Sequence, residues 1–299
     1  MNNKKSANVL AILIMIMWGL SYLSTKVVVN EVEPLLCAFY RFVISTIILF
    51  VILKVKYPEE KILKEDRFRL IFGAFLGVTL YFFFENYSIK YTSASNVSIL
   101  LSAIPVFTLI SQRIIFKEKL TLKKLAGAIL SAIGIIIIIA SKDKVSLFSK
   151  GTLGDLMAIA ASVCWVAYNM VTCKFKGNYK SITITAYQSL WGCIFLSPSL
   201  FLSHITIPSV KVILNTVYLG VFCSCIAYVL YVYCLEHLGP TVLTTYINLQ
   251  PIVSVVSAWI LLSEKITIYQ VAGSGIIIIG VFLVSYGNKF SMKKFKEMV

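Results

Sequence analysis

PVFTLISQRIIFKEKLTLKKLAGAILSAIGIIII, residues 105–138, returns 146 positions later as PIVSVVSAWILLSEKITIYQVAGSGIIIIGVFLV, residues 251–284. Without a gap, Pro105 falls on Pro251, Ser111 on Ser257, Glu118-Lys119 on Glu264-Lys265, Thr121 on Thr267, Ala126-Gly127 on Ala272-Gly273 and Gly134 on Gly280. A shift of 147 likewise lays Trp18 on Trp165 and Tyr40 on Tyr187. Agreement over that length marks a long-period duplication, a more specific signal than any short motif.

Outward from this pair, the chain is a series of apolar runs. A helix needs roughly 20 mostly apolar residues to cross about 30 Å of hydrocarbon. Runs of that length lie at about 7–29, 34–53, 68–89, 92–116 and 121–140, and again at 152–173, 182–203, 212–235, 240–262 and 267–287. Each half, 1–145 and 146–299, thus holds five spans, and an odd number sends the second half into the bilayer in the opposite sense to the first. The expected fold is an all-α integral membrane protein of ten transmembrane helices, arranged as two inverted-topology five-helix repeats around a central cavity. That architecture places a binding site near the midplane, where the repeats face each other.

Composition supports the same class. Of 299 residues, 59% are hydrophobic and only 14% charged, against about 25% charged in a soluble domain. The net charge of +15 does not point to nucleic acid, because the lysines lie between apolar runs, where they set orientation. With the amino terminus inside, the inner loops collect 19 Lys and Arg and the outer loops 6, leaving Lys26, Arg41 and Arg113 within spans. Both termini are therefore expected in the cytoplasm, and the apolar run from Ala7 reads as a retained first span rather than a cleaved signal. The seven cysteines sit in or beside spans and form no disulfide framework, and Cys223 and Cys225 have no histidine cluster beside them. No metal and no cofactor is expected.

The residues also carry a family resemblance. Trp18-Gly19 with Lys26, Arg41, the run from Glu85-Asn86-Tyr87 to Tyr91-Thr92-Ser93-Ala94-Ser95-Asn96, and Pro105 to Glu118-Lys119 with Gly127 resemble the drug/metabolite transporter superfamily, EamA type. The second half repeats Pro251, Glu264-Lys265 and Gly273, so the resemblance covers nearly the whole chain. It implies a ten-helix transporter with a central cavity and no single substrate, since that family includes amino-acid and drug exporters as well as importers.

Ionisable groups inside a bilayer are functional candidates by default. Counting about 1.5 Å of rise per residue, Lys26, Arg41 and Glu85 share a level toward the outer side. Glu85 is positioned to accept a proton or bind a substrate amine, with Lys26 or Arg41 holding a carboxylate; the alternative is an ion pair that locks helices. On the fourth span Ser98 and Ser102, and on the ninth Thr245 and Asn248, form polar stripes. Ser102 and Asn248 are repeat partners three residues before Pro105 and Pro251, the pair expected beside a substrate; the alternative is helix-to-helix packing. Trp18, Tyr22, Trp165, Tyr168 and Tyr228 complete an expected aromatic lining suited to an amphipathic or cationic molecule.

These residues lead to a secondary transporter of a small organic metabolite or drug-like compound, of the amino-acid or organic-cation class, across the cytoplasmic membrane. Export coupled to protons is the leading reading; import or facilitated exchange is the alternative. No phosphate-binding G-x-x-x-x-G-K-[ST] loop occurs. A membrane-embedded lipid-modifying enzyme, the remaining class, would need an acid/base or metal constellation that the sequence does not offer.

Overall fold

The computed structural model describes residues 2–116, 122–140, 150–203, 207–263 and 266–285. Glu118-Lys119, Glu264-Lys265, most of the 141–150 loop and the basic carboxy-terminal tail lie outside them. Among the described residues, seven helices are long and apolar enough to cross a membrane: α1 (Asn2–Val29), α2 (Pro34–Lys56), α3 (Lys64–Tyr91), α4 (Ala94–Ile115), α6 (Lys150–Thr172), α8 (Val210–Leu238) and α9 (Pro240–Leu262). Three shorter helices stand at the other expected positions: α5 (Leu122–Ala140), α7 (Ser181–Leu196) and α10 (Ile268–Ser285).

Local chemistry explains the boundaries. Pro34 opens α2 at a position whose N–H would have no partner in any case. Ser93 caps α4 by accepting from Asn96 N at 3.1 Å, and Ser209 caps α8. Gly239 ends α8 at φ 76°, a left-handed turn that lets Pro240 start α9 at once.

Four irregularities obey the duplication. α3 widens into a π-helical segment at Phe75–Leu80 and α8 at Leu219–Ile226, and the 146-residue shift carries the first into the second. α4 breaks between Leu101 and Ile104, and α9 tightens to a 3-10 turn at Tyr246–Asn248. Both interruptions immediately precede the repeat prolines, whose missing N–H leaves the carbonyls of Leu101 and Ile247 without their helical donor.

α5 and α10 pair chiefly with each other at the margin of the bundle. A Cβ on Gly134 would stand 2.7 Å from the Gly273 carbonyl, and one on Gly280 would stand 2.5 Å from the Gly127 carbonyl. The glycines aligned by the duplication are thus those that bring the two backbones together. The outer faces of the bundle are apolar and open, as at Ile129, Ile133, Ile279 and Phe282, which suits hydrocarbon rather than water. The buried core runs inside α1, α2, α3, α4, α6, α8 and α9.

Candidate functional site

The core encloses a cavity of about 20 Å³, room for about one water molecule. From the first half it is lined by Trp18, Ser21 and Tyr22 of α1, Arg41 of α2, and Tyr81, Phe82 and Glu85 of α3, with Ile104 just after the break in α4. The second half adds Trp165 of α6, Tyr228 of α8, and Ile247 and Gln250 beside the turn in α9.

Aromatic rings build the walls. Trp18 meets Trp165 edge-on at 5.4 Å and Tyr228 at 5.6 Å, while Tyr81 lies 4.8 Å from Trp165. Their polar edges are tied to backbone and to each other. Trp18 Nε1 donates to the Cys223 carbonyl at 3.1 Å, and Tyr228 Oη donates to the Gly77 carbonyl at 3.0 Å. Gly77 and Cys223 are repeat partners within the two π-helical segments, so each irregular segment offers the cavity wall one carbonyl. Trp165 Nε1 donates to Tyr231 Oη, which donates on to Asn169 Oδ1, both at 3.1 Å.

The charged groups sit within this aromatic shell. Glu85 accepts from Tyr81 Oη at 2.7 Å. Arg41 donates from Nε to Ser224 Oγ at 2.8 Å, and its guanidinium carbon lies 4.3 Å from the centre of the Phe82 ring, a cation–π contact. Among the described residues Arg41 and Glu85 make no ion pair within 4 Å. The terminal guanidinium nitrogens and the second Glu85 oxygen have no hydrogen-bond partner there. A carboxylate and a guanidinium thus share one cavity while each keeps bonding capacity in hand, an arrangement able to bind a molecule carrying both signs of charge.

The other expected residues fall elsewhere. Lys26 Nζ donates to the Ile89 and Thr92 carbonyls, both at 2.7 Å, capping the end of α3 rather than lining the cavity. Tyr168 is buried behind Trp165, 5.1 Å from it, and donates to Gln188 Oε1 at 3.2 Å. Ser98 and Ser102 hydrogen-bond back to the carbonyls of Ser95 and Ile99, and Thr245 to that of Val242. Asn248 donates to the Thr245 carbonyl at 3.0 Å, leaving its Oδ1 buried without a partner. These four polar side chains serve the helix interruptions, and the neighbouring Ile104, Ile247 and Gln250 face the cavity instead.

Gln250 was not among the expected residues. It accepts from Tyr22 Oη at 2.8 Å and stands one position before Pro251, and an amide beside a mid-span proline is the signal that would have found it. Tyr81 was readable from its place one helical turn before Glu85. The buried Asp155 of α6, which accepts from Asn96 Nδ2, carries no comparable sequence mark.

The EamA-like transporter family model matches residues 5–140 and 152–286. An uncharacterized transporter from Archaeoglobus fulgidus is 32% identical over 95% of this chain and 98% of its own length. A probable amino-acid metabolite efflux pump of Salmonella typhimurium is 27% identical over 93% of this chain and 94% of its own. A solved crystal structure superposes with a TM-score of 0.70 at 15% identity, covering 96% of this chain and 99% of that one, which supports the fold alone. Matched in both halves, the chain belongs to the EamA-like transporter family and is a multi-pass membrane transporter, not an enzyme.

Proposed function

We propose that this chain is a proton-coupled exporter of a small zwitterionic metabolite of the amino-acid class, acting in the cytoplasmic membrane. Its ten helices cross the bilayer as two inverted five-helix repeats, divided at 145/146, with both termini in the cytoplasm. The observation that carries the reading is the cavity shared by Arg41 and Glu85 without a direct ion pair. A substrate carboxylate fits the Arg41 guanidinium and a substrate ammonium fits the Glu85 carboxylate. Trp18, Tyr22, Trp165 and Tyr228 surround its apolar part, while Ser98, Ser102, Tyr168, Thr245 and Asn248 shape the helices behind them. The efflux-pump relative supports the substrate class and the direction.

Coupling follows from charge. In the empty cavity Glu85 has no direct ion pair and is open to a proton, and a substrate ammonium takes the same place. Proton and substrate therefore occupy Glu85 in turn, which makes the cycle an antiport. Lys26, bound to the end of α3, secures the helix that carries Glu85. With room for only one water in the described conformation, substrate entry requires the repeats to part, as alternating access demands.

The test is purified protein in liposomes offered a mixed metabolite pool, with uptake read by mass spectrometry under an imposed pH gradient. Glu85→Gln keeps the side-chain size but cannot titrate. It should retain exchange of an amino acid between the two sides and lose at least nine-tenths of gradient-driven accumulation. Gradient-driven accumulation equal to that of the unaltered protein would defeat the coupling role.

A further inference from the structure

Trp18, Tyr22, Arg41 and Glu85 meet at the central cavity, and the duplication repeats all four positions. The 147-residue shift carries Trp18 to Trp165, Tyr22 to Asn169 and Arg41 to Gln188, and the 146-residue shift carries Glu85 to Tyr231. These partners converge as well. Trp165 Nε1 donates to Tyr231 Oη and Tyr231 Oη to Asn169 Oδ1, both at 3.1 Å. Tyr168, its ring 5.1 Å from that of Trp165, donates to Gln188 Oε1 at 3.2 Å. Trp165 is a wall of the cavity, and Asn169 stands one helical turn further toward the end of α6 at Thr172. The link beyond is held by Asp66 of α3, which accepts from Gly177 N at 2.9 Å. The second cluster thus lies between the cavity and the Asp66 end of the molecule.

Charge separates the two clusters. An amide stands where the first has its guanidinium and a phenol where it has its carboxylate, so the second is neutral. Asn169 and Gln188 are exposed by only 0% and 2%, and each spends its side-chain carbonyl on a tyrosine hydroxyl. Their nitrogens, Asn169 Nδ2 and Gln188 Nε2, have no hydrogen-bond partner among the described residues. Gly73 of α3 makes the room for one of them, since a Cβ there would stand 2.8 Å from Gln188 Nε2. An unpaired buried donor is costly, and apolar side chains would fill the same space without that cost. Two amides oriented by tyrosines and left with only donors to offer suit a ligand that accepts.

We propose that Asn169 and Gln188 form a second binding station, which takes the substrate carboxylate on its two amide nitrogens when the Asp66 end is open. The inference rests on the carboxylate-bearing substrate proposed above. Hydrogen bonds from a guanidinium are stronger than those from a neutral amide, so a carboxylate that enters at the Asp66 end passes downhill from the amides to Arg41. In the orientation proposed above that end is cytoplasmic, the loading side of an exporter. Tyr231 holds the place of Glu85 there, so loading at the second station requires no proton to leave; the exchange with a proton comes later, at the central cavity.

The test uses the full-length protein in oriented membrane vesicles, inside-out and right-side-out, against vesicles that lack it. The probe is an equimolar mixture of isotope-labelled protein amino acids outside, exchanged against the unlabelled mixture inside and read by mass spectrometry. Gln188→Met keeps the length of the side chain and a weak acceptor for Tyr168 but has no donor. Where the Asp66 face is outward it should raise the half-saturation concentration about tenfold, as one hydrogen bond to a charged group implies. Half-saturation from the opposite face, which meets Arg41 first, should not change. Tyr168→Phe combined with Gln188→Met removes both members of the bond, which spares stability, and should show the same one-sided rise at an unchanged melting temperature. A half-saturation unaltered from the Asp66 face would mean that the amides hold only water or neighbouring helices, and would overturn the proposal. An equal rise from both faces would assign the effect to the central cavity and overturn it too. Exchange of no amino acid by the unaltered protein would overturn the substrate class and this proposal with it, whereas exchange that both variants leave as it was would overturn this proposal alone.

Discussion

The same joint occurs at both ends of this molecule and is built with unequal strength. At one end the α2–α3 link grips the α6–α7 link: Asp66, fully buried, accepts from the backbone N–H groups of Lys176 and Gly177 at 2.9 Å each, from Tyr179 Oη at 2.9 Å and from Arg69 at 2.8 Å. Glu60 adds bonds to Lys180 N and Thr183 Oγ1, and Leu63 N donates to the Tyr179 oxygen. The duplication turns α2–α3 into α7–α8 and α6–α7 into α1–α2. At that second joint, among the described residues, Glu31, itself exposed, accepts from the Ser209 N–H and hydroxyl at 3.1 and 2.9 Å. A carboxylate shielded from water and satisfied from several sides holds firmly, whereas one in solvent exchanges its partners for water at little cost. The duplicated fold needs a joint at each end, and of the two carboxylates the buried Asp66 holds more firmly than the exposed Glu31, so opening should begin at the Glu31 end.

Removing the firm joint should have the largest effect. Asp66→Ala leaves two backbone donors and the Tyr179 hydroxyl without their acceptor, at a cost of roughly 2–4 kcal/mol. A clear fall in melting temperature in detergent should follow, and an unchanged one would mean that the buried carboxylate holds nothing together. Gly177→Ala should rank second. Its Cβ would come within 2.2 Å of Tyr179 Cζ, so the ring must leave Asp66. The shift should cost about 1–3 kcal/mol, and Tyr179→Phe should recover none of it if the clash is with the ring rather than the hydroxyl.

What could be read in advance follows the same physical lines. Helix positions came through closely: the expected 240–262 span is the observed Pro240–Leu262, and the expected 34–53 span lies within Pro34–Lys56, because run length and flanking charge are one-dimensional signals. Arg41, Glu85, Trp18 and Trp165 were legible at the cavity for a related reason, since charge or paired aromatics inside a span are conspicuous. Counting residues gives a side chain its height in the membrane but not its direction around the helix. Lys26 therefore shared the level of Glu85 and still turned to the end of α3. Ser102 and Asn248, the pair expected beside a substrate, fall at the helix interruptions, where their polar atoms turn back on their own helices. The π-helical segments left no hydropathy signature at all, and Asp66 looked like an ordinary loop charge because its partners lie about 110 residues away.

The smallest effect should come from the loose joint, and its smallness makes the comparison exact enough to fail. Glu31→Gln keeps an acceptor for the Ser209 N–H and removes a charge that water already screens. Melting temperature should stay within measurement error of the unaltered protein. Hydrogen exchange then separates the two ends without any mutation: the amides of Lys176 and Gly177, bonded to a buried carboxylate, should exchange far more slowly than that of Ser209, bonded to an exposed one. Glu31→Gln should leave the slow pair untouched while Ser209, already fast, changes little. If Ser209 proved as protected as Gly177, or if Glu31→Gln loosened the Asp66 end as well, the two joints would be one cooperative unit and opening could not begin at either alone.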